Sequence, residues 1–389
     1  MAAVERIVLM VLALWFHAGF AQAQITVGQT GSLHSTILDE DRGYRVSLPA
    51  SYRWAEDRRY PVLFVLDGET HFLHTAACVD FLSAQEEIPE CIVVAITSTV
   101  RIRDFTQTDW PSHWIGGGGA KNFREFLSRE LIPRIERDFR TNGFRILSGH
   151  SAGGQFVLYA LSSEPALFDA YIALSPSLDW DDRLPRRALE ESLRRTDSLH
   201  AFLYFAWSDD YDQALADDLD VVATLEAHAP RGFRWVGKGY PEETHGSIPL
   251  LAQIDALRRL FAGFRYPGDL LPKGFAFAEK HFQEVSRTVG YDIPVPEAVI
   301  NAFGYDALDR GDVEEAIALF KKNIDQNPNS ANAFDSIADA YEQAGKWDEA
   351  KAAIARAVEL AARYDHPNRD DFIRHREKLR TRSEAESAK

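Results

Sequence analysis

Near the middle of the chain, Gly149-His150-Ser151-Ala152-Gly153 follows an apolar run ending at Leu147 and precedes a helical run, Gln155 to Leu161. A serine between two glycines at a strand-to-helix junction has a specific chemical use. The tight turn lifts the hydroxyl clear of the chain, and larger flanking residues would collide there. The letters alone arise by chance, so the flanking strand and helix are what give them meaning. A serine hydroxyl at its free pKa is a poor nucleophile and needs a base within hydrogen-bond reach, with a carboxylate to orient that base. The chemistry on offer is attack on a carbonyl carbon.

In this setting the partners follow along the chain in the order serine, acid, histidine. The histidines after Ser151 are His200, His228, His245, His281, His366 and His375, the last three in or beside a helical tail. His200 immediately precedes a strand and His228 sits in the helical stretch Leu225 to Ala229. His245 lies in Glu242-Glu243-Thr244-His245-Gly246-Ser247, a loop after the strand Phe233 to Val236 and just before another helix. Active sites of such sheets form beyond the carboxyl ends of the strands, which selects His245 as the general base. The acid belongs after the strand Ala201 to Ala206, where Asp209, Asp210 and Asp212 are available. Asp210 is the first choice, Asp209 the close alternative and Asp212 the third. Acyl transfer also needs donors for the tetrahedral oxyanion, and the backbone amides of Ala152 and of Glu69, in the Asp67-Gly68-Glu69 turn, are the candidates.

These residues need a scaffold that brings distant loops to one edge. From Ser32 to Gly263 short β-rich runs alternate with helical stretches, the pattern of a mostly parallel sheet covered by helices. The predicted strands are Leu33–Leu38, Tyr44–Leu48, Tyr60–Leu66, Cys91–Ile96, Phe144–Leu147, Ala170–Leu174, Ala201–Ala206 and Phe233–Val236. Several are nearly continuous apolar runs, as strands buried on both faces are. Past about Pro267 the sequence turns to helical periodicity, and Gly311-Asp-Val-Glu-Glu-Ala recurs as Gly345-Lys-Trp-Asp-Glu-Ala, 34 residues later. That is the tetratricopeptide period. Residues 24–266 are therefore expected to form an α/β catalytic unit. Residues 267–389 are expected to form a small all-α tail with repeats at about 297–330 and 331–364 and a last helix, Arg369 to Arg382. So short an array leans on the catalytic unit or on that last helix, because repeats need neighbours to bury their faces. A protein partner held in a groove of the tail is the sharper reading, and a structural appendage the plainer one.

The chain has 389 residues, 46% hydrophobic and 26% charged, which is ordinary for globular protein and leaves room for a large unit plus a smaller one. A net charge of −16 disfavours a nucleic-acid partner, because phosphate binding draws on clustered Lys and Arg. Residues 1–23 read as a signal peptide: Arg6 starts it, Ile7 to Phe20 is the apolar run, and Ala21-Gln22-Ala23 offers the cleavage site. The run is shorter than the roughly twenty residues a spanning helix needs, so a periplasmic or secreted protein with no membrane segment after cleavage is expected. Cys78 and Cys91 are the only cysteines, and export would bring them to a compartment where they could pair.

The hydrolase part resembles the putative esterase family, the α/β-hydrolase group that contains esterase D-like enzymes and trilactone siderophore esterases. The likeness runs through Leu66-Asp67-Gly68, Arg101-Ile-Arg-Asp104, Gly117-Gly-Gly-Ala120, Phe126 with Glu130-Leu-Ile-Pro-Arg-Ile-Glu136, Gly149-His-Ser-Ala-Gly-Gly154 and Leu174-Ser-Pro-Ser-Leu-Asp-Trp180. Some members are similar in carrying a helical-repeat tail. The resemblance implies ester hydrolysis by serine, acid and histidine with no metal or organic cofactor. One departure is Trp207, where many relatives have glycine near the start of the acid-bearing loop. Arg101, Arg103, Trp110, Trp114 and Trp180 are candidate substrate-binding residues, since their loops should rim the edge that carries Ser151. Arginine over an aromatic wall suits a catechol or carboxylate-bearing ester. The expectation is an exported serine ester hydrolase acting on a small-molecule ester. Its rivals are an acyltransferase using the same site and a catalytically silent scaffold acting through the tail.

Overall fold

The computed structural model describes residues 26–113, 116–208 and 212–387. The expected signal peptide lies outside the described residues. Eight strands form one sheet in the order β1-β2-β4-β3-β5-β6-β7-β8. They are β1 (Gln29–Ser35), β2 (Glu40–Ser47), β3 (Tyr60–Val65), β4 (Ile92–Ile96), β5 (Thr141–His150), β6 (Ala170–Leu174), β7 (Phe202–Ser208) and β8 (Arg234–Tyr240). β2 runs antiparallel to β1 and β4, and every other pairing is parallel. The central strands read as unbroken apolar runs because both faces are covered. Val62 and Phe64 join one core with Leu147, Leu203 and Phe205, while Leu63 and Val65 join the opposite core with Ile146, Phe202 and Tyr204. This is the α/β-hydrolase arrangement, and it sends the loops after β3, β4, β5, β6, β7 and β8 to a single edge.

The first strand departs from expectation. Ile37 and Leu38 pack on the core but sit in the β1–β2 turn, so their apolar character marks contact rather than strand. The Glu130 carboxylate pins that turn, accepting from Thr36 N (2.9 Å) and Thr36 Oγ1 (2.6 Å).

Four helices of the catalytic unit matter for the site: α1 (Gly68–Ala84), α2 (Ala152–Ser163), α3 (Trp180–Arg195) and α4 (Ile248–Leu260). Beyond them lie α5 (Phe275–Val289), α6 (Glu297–Asp309), α7 (Val313–Gln326), α8 (Ala331–Gln343), α9 (Trp347–Arg363) and α10 (Arg369–Ser387). The tail shares the sheet's second core: Phe282 and Val285 of α5 and Ile300 and Phe303 of α6 are buried with Leu257 and Phe261. A separate core of Ile317, Phe320, Ile337, Ile354 and Leu379 ties α7 to α10. Gly304 is what lets α6 and α7 close up, since a methyl there would lie 2.3 Å from the Phe320 ring. Cys78 and Cys91 are buried free thiols.

The last helix is tied to the repeats through His375, whose Nδ1 lies 2.6 Å from Asp335 Oδ1 and whose Nε2 lies 3.3 Å from Asp339 Oδ1. The bond to Asp335 holds the His375 pKa above its ordinary value, against burial, with further help from Asp339 and Glu342. A histidine held in its charged form contributes stability that is fully present below the unfolded-state pKa of about 6.5 and is lost as pH rises through the raised folded value. Amide exchange in α10 is therefore expected to accelerate from about pH 6.5 upward in the wild type relative to His375→Gln. Parallel profiles of the two proteins, after correction for intrinsic exchange, would contradict this.

Candidate active site

Ser151 sits between β5 and α2 with φ 61° and ψ −122°, a left-handed conformation that an L-residue adopts only under strain. Main-chain bonds hold the turn: Ser151 N donates to Leu174 O (3.0 Å), and Ser177 N donates to Ser151 O (3.1 Å). Gly149 has to be glycine, because a β-carbon there would lie 2.4 Å from the Gly153 carbonyl oxygen. Gly149→Ala must push strand and helix apart and is expected to cost about 1–3 kcal/mol, the usual penalty for overpacking. Urea denaturation measures it, and an unchanged midpoint would show that the turn yields.

A second turn of the same kind follows β3, the strand beside β5. Asp67 has φ 52°, and α1 starts at Gly68. Its carboxylate accepts from Ser98 Oγ (2.7 Å) and from Arg101 Nε (2.9 and 3.0 Å), and Arg101 Nη2 donates to the His150 carbonyl (3.2 Å). Arg101 thus locks the two turns together. Ala152 and Glu69 each lie in the first turn of a helix, where amides lack intrahelical acceptors and the helix dipole favours negative charge. The Glu69 carboxylate is drawn aside by Ser98 N (3.0 Å).

His245 arrives from the opposite side of the sheet, in the loop between β8 and α4. Its ring centroid lies 4.6 Å from that of His150, tilted by 45°, so the loop after the edge strand reaches the residue that precedes Ser151. Behind it lies a row of imidazoles: His71 packs edge-on to His150 at 5.6 Å, and His71 Nδ1 is 2.9 Å from His74 Nε2. Burial pushes His150 down to about 3 and His74 down to about 4, and lowers His71 as well; His245, His71 and Arg101 lower His150 further. These three inner rings are neutral at neutral pH.

Asp209 and Asp210 lie outside the described residues, as do the side chain of Asp212 and Trp114. Ser208, at the end of β7, anchors the near side of the acid-bearing loop: its N–H donates to Ser175 Oγ (3.1 Å).

The other pocket candidates divide. Arg103 binds Glu40 through Nη2 (2.6 Å) and Asp104 through Nε (2.8 Å), and buried Arg42 joins the same two carboxylates. Trp180 is buried and donates Nε1 to Thr108 O and Oγ1 (both 3.2 Å), pinning the chain at Thr108. Trp110 meets it edge-on at 5.4 Å and stacks on His113 at 3.9 Å. Half-buried, Trp110 keeps part of its surface open to a ligand.

Residues 35–229 match the family described as putative esterase. The chain belongs to that family. Residues 307–367 match the tetratricopeptide repeat. Among solved structures the family resemblance includes an IroE-like serine hydrolase from Shewanella oneidensis, 30% identical, with a TM-score of 0.68 over 76% of this chain and 98% of that one. A structure from Capnocytophaga ochracea shares the fold of both parts, with a TM-score of 0.59 at 17% identity over 91% of this chain and 99% of that one. The ferri-bacillibactin esterase BesA of Bacillus subtilis is 31% identical over 167 residues, 37% of this chain and 56% of that protein. The chain thus spans little more than half the length of this curated relative.

The imidazole row is what residue reasoning missed. A signal existed: His71 and His74 stand three apart in α1, directly after the Asp67-Gly68 turn, and so share a helix face.

Proposed function

We propose that the protein is an exported serine carboxylic-ester hydrolase whose substrates are siderophore-type esters. The observation that carries this reading is the contact of the His245 ring with His150, which brings a late histidine loop against the strained turn bearing Ser151. In the reaction Ser151 Oγ attacks the ester carbonyl carbon as His245 takes the hydroxyl proton. The amides of Ala152 and Glu69 receive the oxyanion. His245 returns the proton to the departing alcohol, and water repeats the sequence on the acyl-serine, regenerating the hydroxyl and releasing the acid. A carboxylate of the 209–212 loop, Asp210 in first place, orients His245.

The substrate class rests on relatives: BesA is named a ferri-bacillibactin esterase, and an apo-salmochelin esterase of Escherichia coli is 31% identical over 181 residues. Trp110 and His113 offer a flat surface for an aromatic acyl group. The test is a panel of p-nitrophenyl esters and trilactone siderophores, with and without iron, followed by product analysis. Cleavage of the trilactones well above the simple esters is expected; activity on neither, with Ser151 unlabelled by a fluorophosphonate, overturns the reading. Export predicts a mature chain starting at Gln24, and N-terminal sequencing of protein from the native host checks it.

A further inference from the structure

A cavity lies well away from Ser151. It is a cleft of about 710 Å³ between the catalytic unit and the tail, lined by the starts of β3 and β5 at Tyr60 and Asn142 and by Glu297 and Gln326 of the repeats. Ser151 follows the far end of β5, roughly 30 Å away by strand rise. The volume falls within the roughly 300–1,000 Å³ of small-molecule sites.

Its charges are unequal, with six carboxyl side chains on the lining against two guanidinium groups. Both guanidinium groups are engaged: Arg58 holds Glu90 (3.1 Å) and Asn327 Oδ1 (2.7 Å), and Arg59 donates to the Thr141 carbonyl (3.4 Å). Glu297 is different. Its carboxyl takes the Ser330 hydroxyl (2.5 Å) and forms no ion pair among the described residues, and burial raises its pKa. A half-buried carboxyl with no cation at ion-pairing distance among the described residues, the Arg58 charge acting on it only from further off, favours a ligand that supplies one. Trp54, Phe264 and Tyr291 add aromatic surface to the wall, which suits an apolar body and attracts positive charge to ring faces.

We propose that this cleft binds a small amphipathic organic cation, its ammonium group on Glu297 and its apolar body against the aromatic wall. Dansylcadaverine, a naphthalene ring joined to one primary ammonium, is a direct probe, and N-acetyl-dansylcadaverine is its neutral counterpart. Fluorescence titration of the full chain is expected to give saturable one-to-one binding of the charged probe and weaker binding of the neutral one. Glu297→Gln keeps the bond to Ser330 while removing charge and is expected to weaken the charged probe by about tenfold or more. Gln326→Trp, an exposed position at the mouth, should weaken it by obstruction, and circular dichroism confirms that each variant is folded. Ser151→Ala should bind as the wild type does. No saturable binding, equal affinity for both probes, or retained affinity in either cleft variant overturns the proposal.

Discussion

Ser151→Ala is expected to slow ester hydrolysis by about a millionfold, leaving only what the amides and binding contribute. The loss should fall on kcat, because the missing hydroxyl forms the bond that changes in the reaction while substrate contacts elsewhere persist. Stability should hardly move, since alanine meets the same strain at φ 61° and gives up no side-chain bond that caps α2. The double variant Ser151→Ala with His245→Gln is expected to be no slower than the single one. Nucleophile and base act as a unit, so removing the second partner costs little once the first is gone. Steady-state rates on a p-nitrophenyl ester, with protein freed of contaminating esterase, give the answer. A single variant within tenfold of wild type would remove Ser151 from the reaction.

Much of the fold that frames this site was legible because its signals are local. Apolar runs on both sides of a sheet look alike in any context, so the eight predicted strands all appear, and the loops at their ends follow. The strand ends did not. β5 runs on through Ser148 and Gly149 to His150, and the polar letters that suggested a stop are residues bonded into the ladder beside Gly149↔Ala173 and His150↔Leu174. Arginine partners were hidden for another reason. Arg103 meets Glu40, and Arg101 meets Asp67, across dozens of intervening residues, and only the pairing of β2 with β4 and of β3 with β4 brings them together. Both residues were expected at the substrate, and the structure shows their charged groups bonded to these carboxylates. The tail is legible in its period, while its attachment is not: the helical spacing of α5 predicts an apolar face but not that the face belongs to the sheet's own core.

His150→Leu is expected to lower kcat on the order of a hundredfold with KM little changed, the cost of a catalytic group displaced by about an ångström. His150 holds the His245 loop by ring packing, and Arg101 fixes His150 through its carbonyl. Leucine keeps much of the bulk and loses the flat ring that His245 packs on. Charge strengthens the case for a neutral ring here. With its pKa pushed down to about 3 by burial, His150 does not compete for the proton that the proposed mechanism gives to His245. The same depression makes a second, independent readout. Between the unfolded value of about 6.5 and the folded value the unfolded chain binds the extra proton, so stability falls as pH drops through that interval. His150→Leu removes this penalty, and its acid-unfolding midpoint should lie at lower pH than the wild type's, even as its activity collapses. A variant that lost activity and acid resistance together would point to a damaged fold, and one that kept full kcat would show that His245 is positioned without His150.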